Sequence, residues 1–204
     1  MGENAQRIEL YTYQDYCRWP EDERWELIHG QAYLMSLAPG LSHQTISGDL
    51  VRQIANYLLD KPCRVFHAPF DVRLPQGGET DEQITTVVQP DIVMVCDERK
   101  LDKRGCRGAP DWIIEILSPA TAARDQIQKL ALYEQQGVKE YWIVHPGDRI
   151  VTVYRQEASG SYGRGRIAEL QGELPVGVLP GLRIDWEMVV RKLPARVLDG
   201  ASGE

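Results

Sequence analysis

Two acids stand where the chain calls for apolar side chains. Asp91 interrupts VVQPDIVMV, and Glu115 interrupts DWIIEILSP. An ionised carboxylate in a dry interior costs several kcal/mol even after relaxation, so it must be paired, neutralised or bound to a metal. Asp91 follows Pro90, and Glu115 is followed shortly by Ser118-Pro119, so each acid lies near a strand boundary where a pocket can open. Oxygen donors of this kind suit a hard divalent cation, Mg²⁺ or Mn²⁺.

A third group belongs with them. In the segment after Glu115, Asp125, Lys129, Leu132 and Gln136 recur on one helical face, while Ile127, Leu130 and Ala131 fall on the other. Apolar residues on both faces point Lys129 inward, toward the ends of the acid-bearing strands. The competing reading is an exposed Asp125–Lys129 pair at i,i+4, worth about 0.3 to 0.5 kcal/mol. An Asp, a Glu and a Lys meeting on a strand-strand-helix unit suit phosphodiester cleavage. There the metal polarises phosphate and acidifies a bound water, and the lysine supports developing charge.

The elements that must position these groups can be read from pattern. YTYQDYCRW is a short helix that Thr12 can cap, and RWELIHGQAYLMS is a hairpin turning at His29-Gly30. Ser42 opens an amphipathic helix with Ile46, Leu50, Ile54, Tyr57 and Leu58 at helical spacing. CRVFHAPFDVRL reads as a strand, followed by a Gly-rich acidic loop from Gln76 to about Gln83, the Asp91 strand and the Glu115 strand. Ser118-Pro119 launches a helix that stops at Gly137. EYWIVHP and RIVTVYRQ pair across Pro146-Gly147-Asp148, with Trp142 facing the core. GRIAELQGE is a further strand, IDWEMVV a short helix, and the tail from about residue 193 is loose. The 204 residues read as a single domain.

Composition sets the outer limits. With 43% hydrophobic and 26% charged residues the chain can bury a sizeable core. Its net charge of -7 argues against a general coat of nucleic acid. Bases nevertheless gather in Arg99, Lys100, Lys103, Arg104 and Arg107, in the segment that joins the two acid-bearing strands. That run is either a phosphate-contacting loop or a solvated one. Cys17, Cys63, Cys96 and Cys106 show no CxxC spacing and are expected to be reduced thiols. The start has no apolar signal region, and no run approaches the length of a membrane span, so a cytoplasmic protein is expected.

Taken in order, Q-P-D-I, P-D-W-I-I-E-I-L-S-P, D-x-x-x-K-L-x-x-Y and G-V-K-E-Y-W-I-V resemble the Uma2 family of restriction-endonuclease-like proteins, within the PD-(D/E)XK nuclease superfamily. The resemblance runs from YTYQDYCRW to LPGLRIDW. It implies an α/β restriction-endonuclease-like fold, a mixed central β-sheet flanked by helices, and a Mg²⁺- or Mn²⁺-dependent endonuclease acting on DNA as a homodimer. By similarity Asp91 and Glu115 are the metal-binding acids, and the Ile116 carbonyl completes the sphere. Leu117 occupies the superfamily's lysine position, and that role passes to Lys129. Glu26 matches a hairpin acid that either reaches the metal through water or is a strand-edge charge. His29 and Gln31 replace the usual Asp and Glu of that hairpin. His43 is either a base or a capping or packing histidine, and Asp125 orients Lys129. Two other classes stay open: a noncatalytic nucleic-acid or protein binding module on the same fold, and a metal-dependent hydrolase of a small phosphorylated molecule.

Overall fold

The computed structural model describes residues 9–20, 22–35, 39–119 and 121–194. A one-turn helix α1 (Tyr13–Tyr16) precedes the hairpin of β1 (Trp25–Ile28) and β2 (Gln31–Leu34), then the long helix α2 (Leu41–Tyr57). Strands β3 (Arg64–His67), β4 (Val72–Arg73), β5 (Val87–Val88) and β6 (Ile92–Val95) follow, then β7 (Leu101–Asp102), β8 (Gly105–Arg107) and β9 (Trp112–Ile116). A π-helical turn (Arg124–Lys129) runs into α3 (Leu130–Gln136). The chain continues through β10 (Glu140–His145), β11 (Ile150–Arg155), β12 (Arg166–Glu169), β13 (Glu173–Pro175), β14 (Arg183–Asp185) and α4 (Trp186–Val190).

The central sheet has the order β12-β11-β10-β9-β6-β3 and is mixed, because β9 and β10 are parallel while its other pairs are antiparallel. Alternation along its strands feeds two cores. Trp112, Ile114, Ile116 and Trp142 pack with Ile46, Leu50 and Ile54 of α2 and with Trp186 of α4. Val93, Ile113, Tyr141 and Ile143 pack on the opposite face with Leu132 and Tyr133 of α3 and with Val72 and Val88 of a second sheet. That sheet has the order β2-β1-β5-β4-β8-β7. Trp142 is in the core as expected, and so is Tyr141, because both faces of β10 are covered.

CRVFHAPFDVRL and VVQPDIVMV are each expected to be one strand, and each is broken. β3 and β6 pair in the central sheet, β4 and β5 in the second, and the chain crosses between sheets at Pro69 and at Pro90-Asp91. Proline has no N–H to give a ladder, so both breaks fall where a strand must stop. The two breaks face each other, since the Ala68 N–H donates to the Asp91 carbonyl at 3.0 Å. Asp91 therefore lies on the seam between sheets, just before β6.

Other boundaries follow their signals closely. His29 and Gly30 have φ of 51° and 78°, the pair of left-handed residues that a tight hairpin needs. Gly137, at φ 80°, ends α3. Helix α2 begins one residue before Ser42, with Gly40 at the cap position. The basic segment is a 3-10 turn (Glu98–Lys100) leading into the β7–β8 hairpin rather than an open loop.

The thiol expectation is corrected for two cysteines. Cys63 and Cys96 form a disulfide, while Cys17 and Cys106 are free. Local spacing misses this pair because its two halves meet only through sheet register: Arg64 opposes Val95, which sets Cys63 against Cys96 one step further. Residues 195–204 of the expected loose tail lie outside the described residues. Leu193 packs on the core, and the Pro194 carbonyl accepts a hydrogen bond from Arg149 Nη2 at 2.8 Å. Among the described residues no helix is long and apolar enough to cross a membrane.

Candidate active site

Register brings the two acids together before any side chain is considered. β6 and β9 are antiparallel with Ile92 opposite Ile114, so the next step sets Asp91 against Glu115. Each carboxylate then accepts from the other strand's backbone. The Ile116 N–H donates to Asp91 Oδ2 at 2.7 Å, and the Asp91 N–H donates to Glu115 Oε2 at 3.2 Å. Glu115 falls between Ile114 and Ile116, which belong to the α2 face, so its side chain enters the α3 face.

There it meets Lys129. The lysine Nζ lies 2.9 Å from Glu115 Oε1, 2.9 Å from Glu26 Oε1 and 3.4 Å from Asp125 Oδ1. Glu26, Glu115, Asp125 and Lys129 are all at most 3% exposed. Asp125 and Lys129 lie four residues apart on the π-helical turn, and Tyr141 Oη donates to the Asp125 carbonyl at 3.0 Å. Ile127 of the same turn is exposed, so this segment has one buried polar face.

Burial pushes the Glu115 carboxyl well above the usual carboxylate range, with Lys129 pulling against it, and burial raises Asp125 for the same reason. Burial also works against charge on Lys129, but Glu115, Glu26 and Asp125 outweigh it and hold the ammonium well above the usual lysine range. The Tyr133 hydroxyl, raised by burial, stays neutral and donates a hydrogen bond to Glu115 Oε1 at 3.1 Å. His43 Nε2 stands 3.1 Å from Asp91 Oδ2, and its Nδ1 is buried without a partner among the described residues.

These groups line a cavity of about 300 Å³. Glu26, His43, Asp91, Glu115, Ile116, Asp125 and Lys129 are all at its wall, so the cavity brings the candidate residues Asp91, Glu115, Ile116 and Lys129 together with the three possible supporting residues. The basic hairpin is elsewhere. None of Arg99, Lys100, Lys103, Arg104 and Arg107 lines the cavity. Arg99 is paired with Asp97 and Arg107 with Asp81, Arg104 lies 3.8 Å from Asp81, Lys100 donates to the Ala109 carbonyl, and Lys103 is exposed.

Sequence reasoning missed three groups at this wall. Arg124 Nη1 lies 3.7 Å from Glu26 Oε2, and its guanidinium sits 4.4 Å above the Tyr33 ring. Gln89 donates from its backbone to Glu26 Oε1 at 2.9 Å, and Arg24 donates to the Gln89 side chain. Gln89 carried a usable signal, a polar side chain at the end of an apolar run two residues before Asp91. Arg24 carried none.

Among the described residues, no group of three or more His, Cys, Asp or Glu side chains is placed to hold one metal ion. The donor chemistry is nevertheless that of Mg²⁺, which keeps several waters and takes only one or two carboxylates from a protein. Asp91 and Glu115 offer two hard oxygen donors that fit such a cation, and the acids at the centre outnumber the one buried lysine they surround.

The family model described as "Uma2: Putative restriction endonuclease" matches residues 13–187. The uncharacterized protein slr1290 of Synechocystis sp. is 25% identical over 152 residues, 73% of this chain and 76% of its own length. The crystal structure of a "putative nuclease belonging to DUF820" from Anabaena variabilis aligns with a TM-score of 0.69 at 20% identity, covering 88% of this chain and 97% of that one. At that identity the likeness is one of fold. With the family model spanning α1 to α4, this chain belongs to the Uma2 family.

Proposed function

We propose that this protein is a divalent-metal-dependent endonuclease that hydrolyses phosphodiester bonds in DNA. One observation carries the reading: opposed acids on the seam between two sheets share a cavity with a buried lysine held among three carboxylates. Asp91 and Glu115 would hold Mg²⁺ or Mn²⁺ with the Ile116 carbonyl, and the metal would supply a polarised phosphate and a more acidic water. Lys129 presents a fixed positive charge beside Glu115, suited to the charge that builds on phosphate oxygens. Glu26 and Asp125 keep that ammonium in place, and His43 braces Asp91. A homodimer would give a duplex two such centres, which light scattering on the purified chain would test.

The test is incubation with plasmid, linear and single-stranded DNA under Mg²⁺ or Mn²⁺, beside Glu115→Ala. Metal-dependent cleavage that disappears in the variant is the expected result. Absence of cleavage from the wild type on all three substrates would overturn the reading. The small cavity favours one rival, hydrolysis of a small phosphorylated molecule. Activity on p-nitrophenyl phosphate, with none on DNA, would select it.

A further inference from the structure

The cations of this molecule differ in what holds them. Arg73 is fully buried against Asp81 and Asp102. Arg99 and Arg107 lie on carboxylates, Lys129 among three of them, and Arg124 beside Glu26. Arg24 is the exception at the cavity wall. Among the described residues its guanidinium is paired with no carboxylate. Nε and Nη2 both donate to one neutral acceptor, Gln89 Oε1, at 3.0 and 2.9 Å.

That acceptor is itself fixed. Gln89 is 8% exposed, its backbone N–H donates to Glu26, and its Nε2 donates to Tyr16 Oη at 3.0 Å and to Asp71 Oδ1 at 2.9 Å. The amide therefore cannot turn away, and Arg24 is oriented with no carboxylate in direct contact, the charge of Asp71 reaching it only at longer range. A guanidinium has five N–H donors, and two are spent on Gln89. Of the three that remain, two lie along the Nη1–Nη2 edge, an edge that binds a phosphate in parallel.

We infer that Arg24 is a phosphate-binding residue of this cavity, its Nη edge taking the non-bridging oxygens of a phosphate drawn in beside Asp91 and Glu115. An acid-lined cavity repels a polyanion, so binding requires a wall cation whose charge is still available. Arg24 meets that requirement where the carboxylate-bound cations do not. The choice of nucleic acid as the phosphate's source rests on the nuclease reading; the phosphate site itself does not.

The experiment has two probes, inorganic phosphate followed by calorimetry and a labelled oligonucleotide followed by anisotropy across about 50 to 200 mM salt. Arg24→Gln is expected to weaken both by about tenfold or more and to lower the oligonucleotide's salt slope by about one, because one fewer counterion is released. Arg24→Lys should keep the slope and lose affinity, since it keeps the charge without the fork. It also serves if the glutamine variant does not fold. Unchanged affinity and slope in Arg24→Gln would overturn the inference. So would a loss that follows neutralisation of Arg99, Arg104 and Arg107 instead, or a wild type that binds neither probe. Arg24-dependent binding of phosphate without any oligonucleotide binding would keep the site and remove the nuclease reading.

Discussion

Glu115 and Glu140 are both buried glutamates on adjacent parallel strands, yet they face opposite sides of the central sheet and do opposite things. Glu140 is completely satisfied. Its Oε1 accepts from Trp142 Nε1 at 2.7 Å and Arg155 Nε at 3.1 Å, and its Oε2 accepts from the Val178 N–H at 2.8 Å. One acid meets one cation and two neutral donors. At Glu115, three carboxylates share one ammonium, a fourth stands across the register, and a cavity opens beside them. Burial of an acid therefore does not mark a site. The surplus of acids over cations, open to a cavity, is what separates Glu115 from Glu140.

Substitutions should sharpen this contrast, and the largest effect belongs to the shared cation. Lys129→Met would leave Glu26, Glu115 and Asp125 buried without their ammonium, and urea denaturation at pH 7 is expected to show a loss of about 3 to 5 kcal/mol. Glu140→Ala comes next, at about 2 to 4 kcal/mol by the same measurement, because the Trp142 indole and the Val178 N–H lose their acceptor in the core. Glu115→Gln should cost less than about 1 kcal/mol without metal, since Lys129 keeps two other carboxylates and a like charge is removed. A loss as large as that of Glu140→Ala would erase the distinction between the two glutamates.

The smallest effect is expected at an exposed pair. Arg99 hydrogen bonds hold the Asp97 carboxyl down at about 2. A depressed acid contributes stability above its ordinary pKa and loses it as pH falls through the folded value. Arg99→Ala should return the Asp97 titration, followed by NMR, toward the ordinary aspartate range. Stability at pH 7 should barely move.

The centre was legible from sequence because its acids break an apolar pattern. Asp91 and Glu115 stand out against valine and isoleucine, and Lys129 stands out on a helix with apolar residues on both sides. Glu140 escaped notice because it opens β10 after Val138-Lys139, where an acid breaks no pattern. Its burial comes from the segment carrying Val178, far along the chain. The Cys63–Cys96 bond and Arg24's tie to Gln89 were hidden for the same reason, each depending on register between distant segments. The two-sheet division was half visible: Pro69 and Pro90 are plain in the sequence, but only pairing shows that both mark one crossing.

That crossing has a kinetic consequence. Glu26 comes from the second sheet, Glu115 from the central one, and Lys129 from the helical segment that spans them. No local hairpin or helix can form this centre by itself. Its contacts join distant parts of the chain, the kind whose loop-closure entropy must be met before they reward folding. Refolding followed through these residues should therefore report the docking of the two sheets, with each sheet's own hairpins already in place.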